Sequence, residues 1–145
     1  MNHALGILEI RGYAPAMAAL DAAEKAGDVS LLQLELNDFY GVVLKLTGNV
    51  ASVRAAVTAG HAIASQMMTD VVSDVLPNPS PAARPGIVAK PEFSPLIEQN
   101  VVQQPNTEAS KMSDQAPFAI GMIETQGFTA VIEAIDTACK AANVE

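Results

Sequence analysis

The sequence predicts an α+β fold in which a four-stranded antiparallel sheet packs against two helices and is followed by a partial second copy. Three observations support this prediction. One segment occurs twice, apolar and polar residues alternate as they do in half-buried strands, and two alanine-rich stretches have apolar residues at helical spacing.

The repeated segment is the most specific of these observations. Residues 4–29 read ALGILEIRGYAPAMAALDAAEKAGDV, and residues 119–144 read AIGMIETQGFTAVIEAIDTACKAANV, at a constant offset of 115 positions without a gap. Ten of the 26 paired positions are identical, including two glycines, a glutamate, an aspartate and a lysine. Unrelated strand-helix segments share an apolar pattern but not these residues in register, so we infer a tandem duplication.

Each copy is interpreted as a strand followed by a helix. In the first copy, Leu5–Ile10 is a short apolar run that ends before Gly12. Pro15 suits the first helical position, because its missing N–H would have no partner there. In the second copy, Thr129 suits the N-cap of the corresponding helix.

The residues after the first copy complete a domain. The predicted elements are a strand over Val29–Leu36, a turn over Asn37–Gly41, a strand over Val42–Thr47, a helix over Ala51–Met68 and a strand over Thr69–Leu76. Gln33 and Glu35 alternate with leucines, which predicts that the second strand has one buried and one solvent-facing side. The βαββαβ order is ferredoxin-like, and the predicted domain covers residues 4–79.

A proline-rich segment comes after this domain. Eight of the nine prolines lie between Pro77 and Pro117, so residues 80–117 are predicted to be a linker or an extended arm. Its middle, Phe93–Val102, has enough apolar residues to dock on a surface. Residues 118–145 are then interpreted as the incomplete start of a second domain, consisting of one strand and one helix.

One strand and one helix are too little to fold alone. Three interpretations are open. The chain is a fragment of a longer tandem protein, the second copy packs on a neighbouring chain or replaces its own first copy, or its unpaired strand promotes aggregation.

Composition argues against several classes of function. The net charge is −8 and the pI is about 4.6, which disfavours nucleic-acid binding because phosphate recognition needs clustered lysine and arginine. Signal peptide, membrane span and basic amphipathic segment are not apparent, so we expect a cytoplasmic protein without a membrane partner. Cys139 is the single cysteine, which excludes an intrachain disulfide and suits a reducing compartment.

Catalytic and metal sites are not predicted. His3 and His61 lie far apart in the sequence, without other ligands at metal-binding spacing. Cys139 is expected to be a small buried apolar residue. Nucleophile-base arrangements and phosphate-binding loops are also not apparent. We therefore expect a protein that is not an enzyme and has no cofactor.

The second copy closely resembles the opening of bacterial microcompartment (BMC) shell domains. These typically begin with a small-Gly-Met-Val-Glu-Thr-Lys-Gly strand and continue into an alanine-rich helix that ends in Lys-x-Ala-Asn-Val. The first copy is similar more loosely, and its continuation also fits through Gly48-Asn49-Val50, the helix segment VRAAVTAG and Val75-Leu76-Pro77. The resemblance covers residues 4–79 as a whole domain and residues 118–144 as the start of another.

This resemblance implies a structural role. Such domains form hexamers, or trimers when two domains are in tandem, and these tiles join with other shell proteins around encapsulated enzymes in the bacterial cytoplasm. The loop between the second and third strands lines a central pore, which here implies the residues Asn37, Asp38, Phe39, Tyr40 and Gly41. The family often has Gly-small-Gly in this loop, so the bulky Phe39 and Tyr40 would block or reshape the opening. As an alternative, both pack on their own sheet.

The resemblance also implies residues at the tile edge. Lys25 and Lys140 occupy the position of a lysine that donates to backbone carbonyls across the seam between tiles. Asn78 occupies the position of an arginine that usually accompanies this lysine in the family. In the alternative interpretation, the two lysines are solvated residues favoured by the helix dipole.

A second class of function is a ligand-binding regulatory module on the same ferredoxin-like fold. In that case residues 37–41 would be a ligand loop and the oligomer would be small and closed. Formation of layers without ligand, or a gain in stability with a small molecule, distinguishes the two hypotheses.

Overall fold

A computed structural model of the chain describes residues 4–37, 41–96, 99–105 and 119–142, in two compact units, Met1–Asp114 and Gln115–Glu145. The first unit begins with the predicted βαββαβ order. Its elements are β1 (Ala4–Ile10), α1 (Tyr13–Ala26), β2 (Val29–Asn37), β3 (Gly41–Gly48), α2 (Val50–Gln66) and β4 (Val71–Leu76). Further along are α3 (Arg84–Ile87), β5 (Glu92–Ser94) and β6 (Gln99–Gln103), and the second unit contains α4 (Phe128–Ala141).

The sheet and the two long helices enclose an aliphatic core. β1 lies between β3 and β4, and all of these pairings are antiparallel. Alternate side chains of the strands point toward α1 and α2, and Leu8, Ile10 and Leu44 on that face are fully buried. Alanines of α1 and α2 complete the core, which agrees with an alanine-rich sequence that has few aromatic residues.

Glycine at position 6 allows α2 to lie directly on β1. A Cβ at Gly6 would lie 2.6 Å from Val57 Cγ2 and 2.8 Å from Val53 Cγ1, both on the inner face of α2. The corresponding residue of the second copy, Gly121, would meet no atom within 4 Å. Both copies of the repeat therefore have this glycine, but only in the first unit does a neighbouring helix leave no room for a side chain.

This difference gives a matched pair of substitutions. Gly6→Ala is expected to lower the free energy of unfolding by about 1 to 2 kcal/mol, because the extra methyl group displaces α2 from the sheet. Gly121→Ala is expected to change it by less than about 0.5 kcal/mol. Urea unfolding followed by circular dichroism measures both, and equal losses at the two positions would contradict this account of Gly6.

In the described residues the sheet has six strands, not the four predicted, in the order β4-β1-β3-β2-β6-β5. The two extra strands belong to the arm, a name we use for residues 80–117. β6 pairs with β2 through Leu34 opposite Gln103 and Glu35 opposite Val102. The physical reason is that β2 would otherwise end the sheet with unpaired backbone groups, which a nearby extended segment satisfies.

The second unit contains the predicted helix but not the predicted strand. Residues 119–125 do not form a strand, although their apolar pattern matches that of β1. β1 is held by β3 and β4 on its two sides, and the described part of the second unit provides no such neighbours. Cys139 is exposed, which corrects the expectation that it is buried.

Both helices of the repeat begin two residues earlier than predicted. Gly12 precedes α1 with φ 100° and Gly127 precedes α4 with φ 97°, a region that favours glycine. The predicted capping residue Thr129 therefore lies inside α4. The glycine found at this position in both copies is the sequence feature that marks where each helix begins.

Candidate functional site

The base of the β2–β3 loop is held against the start of α1. Asn37 and Gly41 form the last described pair of the hairpin, and the predicted pore residues Asp38, Phe39 and Tyr40 lie outside the described residues. Gly41 has φ 110°, and a Cβ there would lie 2.5 Å from the backbone nitrogen of Gly12. Because this neighbour is a backbone atom, position 41 requires glycine.

Three hydrogen bonds hold this end of the sheet together. The Asn37 side-chain amide donates to Glu9 Oε1 at 3.1 Å, which links β2 to β1 across β3. At the other side of β1, Arg11 donates its backbone N–H to the Asp70 carbonyl at 3.0 Å, and the Thr69 hydroxyl donates to the Arg11 carbonyl. The loop thus starts and ends on a firmly connected part of the domain.

The two predicted edge lysines have identical surroundings within their own helices. Lys25 Nζ lies 2.6 Å from Asp21 Oδ2, and Lys140 Nζ lies 2.6 Å from Asp136 Oδ2. Both lysine side chains are highly exposed, at 73% and 74%. Exposed pairs of this spacing contribute only about 0.3 to 0.5 kcal/mol, so the ammonium groups are easily redirected to other acceptors.

Asn78, the third predicted edge residue, is exposed in the bend after β4. The structure describes no hydrogen bond between Asn78 and Lys25 within this chain. The aspartate partners of the lysines were not singled out from the sequence, although both belong to the positions that are identical in the repeat. An Asp-Lys pair four residues apart in both copies was the available signal.

The face of the sheet opposite α1 and α2 contains a buried polar cluster, which we define as Gln33, Glu35 and Lys45. Gln33 is fully buried and Lys45 is 7% exposed. Lys45 Nζ donates to three oxygens: Glu35 Oε1 at 2.5 Å, the Ile87 carbonyl at 2.5 Å and Gln33 Oε1 at 3.2 Å. The ammonium therefore has an acceptor for each of its three protons.

The polar cluster fastens the arm to the sheet. Gln33 Nε2 donates to the Ala89 carbonyl at 2.7 Å, and the Ala89 N–H donates back to Gln33 Oε1 at 3.1 Å. With the bond from Lys45 to Ile87, three backbone groups of the arm are bound. The expectation that Gln33 lies on a solvent-facing side of β2 is therefore wrong, because the arm covers that side.

Two further features concern the part of the chain that the structure describes. It brings together no group of three histidine, cysteine or acidic residues that could hold a metal ion. Of its helices, none has the length and apolar character that crossing a membrane requires.

The sequence profile of the BMC domain matches residues 4–79 and 119–145, the complete domain and the second copy of the repeat. The chain belongs to the BMC domain family.

Individual relatives agree with this assignment. The bacterial microcompartment shell protein PduK of Salmonella typhimurium is 36% identical over 79% of this chain and 66% of its own length. The bacterial microcompartment shell protein PduT of Citrobacter freundii is 33% identical over 99% of this chain and 66% of its own length. The carboxysome assembly protein CcmO of Synechococcus elongatus is 30% identical over 98% of this chain and 48% of its own length.

A solved structure is similar as well. A crystal structure of a microcompartments protein from Desulfitobacterium hafniense superimposes with a TM-score of 0.50 and 30% identity, over 56% of this chain and 44% of that one. The chain spans about half to two thirds of the length of the curated relatives that it matches.

Proposed function

We propose that this chain is a structural component of a bacterial microcompartment shell, located in the bacterial cytoplasm, and that it acts by assembly, not by catalysis. The observation that carries the proposal is the complete BMC domain in residues 4–79, whose βαββαβ order and family match coincide. Residues 80–117 are then an arm whose strands β5 and β6 extend the sheet of this domain, and residues 118–145 are the start of a second domain. The partners are other copies of the chain, other shell proteins and the enclosed enzymes.

In the proposed tile, three or six copies surround an axis on which the β2–β3 loops meet. The close contact of Gly41 with Gly12 and the bond from Asn37 to Glu9 support this role, because a pore needs loops with a defined starting point. Phe39 and Tyr40 would narrow the opening around the axis. Asp38 would add a ring of negative charge, one residue from each copy.

Lys25 is proposed to join neighbouring tiles. Its long apolar stem can lie along the neighbouring helix while the ammonium donates to backbone carbonyls across the seam. Its exposure and its weak ion pair with Asp21 support this role. Lys140 would serve the corresponding edge of the second domain, and Asn78 would contribute an amide in place of the usual arginine.

Light scattering combined with negative-stain microscopy tests the proposal. The wild-type chain is expected to form rings of three or six copies that associate into layers or tubes. Lys25→Ala is expected to abolish the layers and retain the rings, with a change of less than about 0.5 kcal/mol in the free energy of unfolding. Lys90→Ala, at another exposed lysine, is the control and should form layers as the wild type does.

The alternative outcomes are specific. A small closed oligomer that never forms layers would contradict the shell role and favour a ligand-binding module. Layers that persist in Lys25→Ala would retain the shell role and exclude Lys25 from the seam.

A further inference from the structure

The polar cluster recognises backbone atoms of the arm, not its side chains. Gln33 binds the carbonyl and the N–H of Ala89, and Lys45 binds the carbonyl of Ile87, two residues earlier. β6 docks in the same manner, through backbone pairing with Leu34 and Glu35 of β2. Together these groups form a peptide-binding site on the sheet of this domain, which takes the end of α3 at the polar cluster and a strand at the β2 edge.

The arm contributes few apolar contacts to this site. Val102 is its one buried apolar side chain among the described residues, whereas Phe93 is 57% exposed and Leu96 is 94% exposed. Pairing between β2 and β6 extends over two residue pairs. An attachment with so little buried apolar surface opens at a low free-energy cost compared with the unfolding of the whole domain.

The segment that connects β4 to α3, the first docked element of the arm, is little buried. Residues 77–83 contain three prolines and no buried side chain. The hydrogen bonds described in this segment are local, from Ala83 N–H to the Ser80 carbonyl and from Ala82 N–H to the Ser80 hydroxyl. The arm is thus linked to the domain by a connection in which no side chain is buried.

We propose that the arm exchanges between copies of this chain, so that Ile87–Ala89 and β6 of one copy occupy the polar cluster and the β2 edge of another. The arm is the segment that the site is shown to fit, and every copy has both the arm and the site. Contacts in the exchanged form equal those in the closed form, so the difference in free energy comes from the connection and from the cost of bringing two copies together. A short tether holds the arm near its own site at an effective concentration in the millimolar range. Neighbouring copies in an assembly reach similar concentrations, so the arm of one copy can compete for the site of another.

Exchange of the arm needs neither the shell role nor the formation of layers. Leu34 and Gln103 lie opposite each other on β2 and β6, at a spacing that a disulfide can bridge. In a Cys139→Ser background, a Leu34→Cys chain and a Gln103→Cys chain are purified separately, mixed, incubated at high concentration and oxidised. A disulfide between these two chains forms only when the arm of one lies on the sheet of the other.

Non-reducing electrophoresis with distinguishable mass tags is expected to show a cross-linked heterodimer that increases with incubation time. The control replaces Gln103→Cys with Ser80→Cys, at an exposed residue that pairs with no strand. The same amount of heterodimer in both mixtures would overturn the proposal. So would a mixture without heterodimer when the doubly substituted chain Leu34→Cys/Gln103→Cys closes its own disulfide fully.

A second measurement applies if Leu34→Cys does not fold. A fluorescent synthetic peptide with the sequence of residues 84–103 is added to the full chain carrying Val102→Asp, which weakens the resident arm. Saturable binding is expected by anisotropy, and adding Gln33→Leu should reduce the affinity at least tenfold. Absence of binding to the Val102→Asp chain would overturn the exchange.

Discussion

Replacing Gly41 with alanine is expected to lower the free energy of unfolding by about 3 kcal/mol, the sum of backbone strain and overpacking. At φ 110° an L side chain is strained, and its Cβ would lie 2.5 Å from Gly12 N and 2.6 Å from the Ile10 carbonyl oxygen. Both neighbours are backbone atoms, so no side-chain rotation relieves the contact. β3 must then move away from the β1–α1 junction.

Thermal unfolding measures this effect, and the midpoint should fall by about 15 °C for a domain of this size. Gly86→Ala is the matched control, because a Cβ at Gly86 would meet no atom within 4 Å. Its midpoint should remain within a few degrees of the wild-type value. A Gly41→Ala chain as stable as the control would show that the loop base is not packed as described.

Replacing Lys45 with methionine is expected to destabilise the domain by about 2 kcal/mol and to release the arm. The substitution keeps the apolar stem but leaves the Ile87 carbonyl and the Glu35 carboxylate without their ammonium donor. Glu35 retains 23% side-chain exposure, so water compensates for part of the loss. Denaturant unfolding measures the stability, and hydrogen exchange of residues 84–105 should accelerate at least tenfold.

The double variant Lys45→Met/Glu35→Gln separates the charge from the packing. Because it removes both charges, it should be less destabilised than the sum of the single variants, with a coupling of about 1 kcal/mol or more. Lys90→Met, at an exposed lysine of the arm, should leave both stability and exchange unchanged. Additive effects of Lys45→Met and Glu35→Gln would mean that the buried pair contributes no specific interaction.

The order of elements in the first domain was predictable because the local patterns agree with the fold. Alternation in β2 and a proline near the start of α1 both report on nearby residues. Asn49 shows the same local character, since its side chain accepts the Ser52 N–H at the start of α2.

Features that depend on distant segments were not predictable in this way. Alternation placed Gln33 and Glu35 on one side of β2, but it could not show whether that side is exposed to solvent or covered by another segment. The covering residue Ala89 lies 56 positions from Gln33. The strand expected at residues 119–125 was wrong for the same reason, since a strand needs neighbours that its own pattern does not specify.

The loop and edge residues of the candidate site were predicted from the sequence, whereas the polar cluster was not. The loop and edge residues came from the resemblance to the family, and their roles stay predictions. The polar cluster was missed, although a lysine within the apolar run of β3 was a visible exception. A charged residue in such a position is rarely buried unless it is paired, which was a reason to search for its partners.

The position of the arm also affects how the sheet can grow. With β6 on β2, the outermost strand on that side is β5, which has three residues between Pro91 and Pro95. Prolines lack the N–H that a further strand would need, and so short an edge is a poor template for fibre-like stacking. The arm therefore protects this edge of the sheet, although not the opposite edge at β4, against uncontrolled cross-β association.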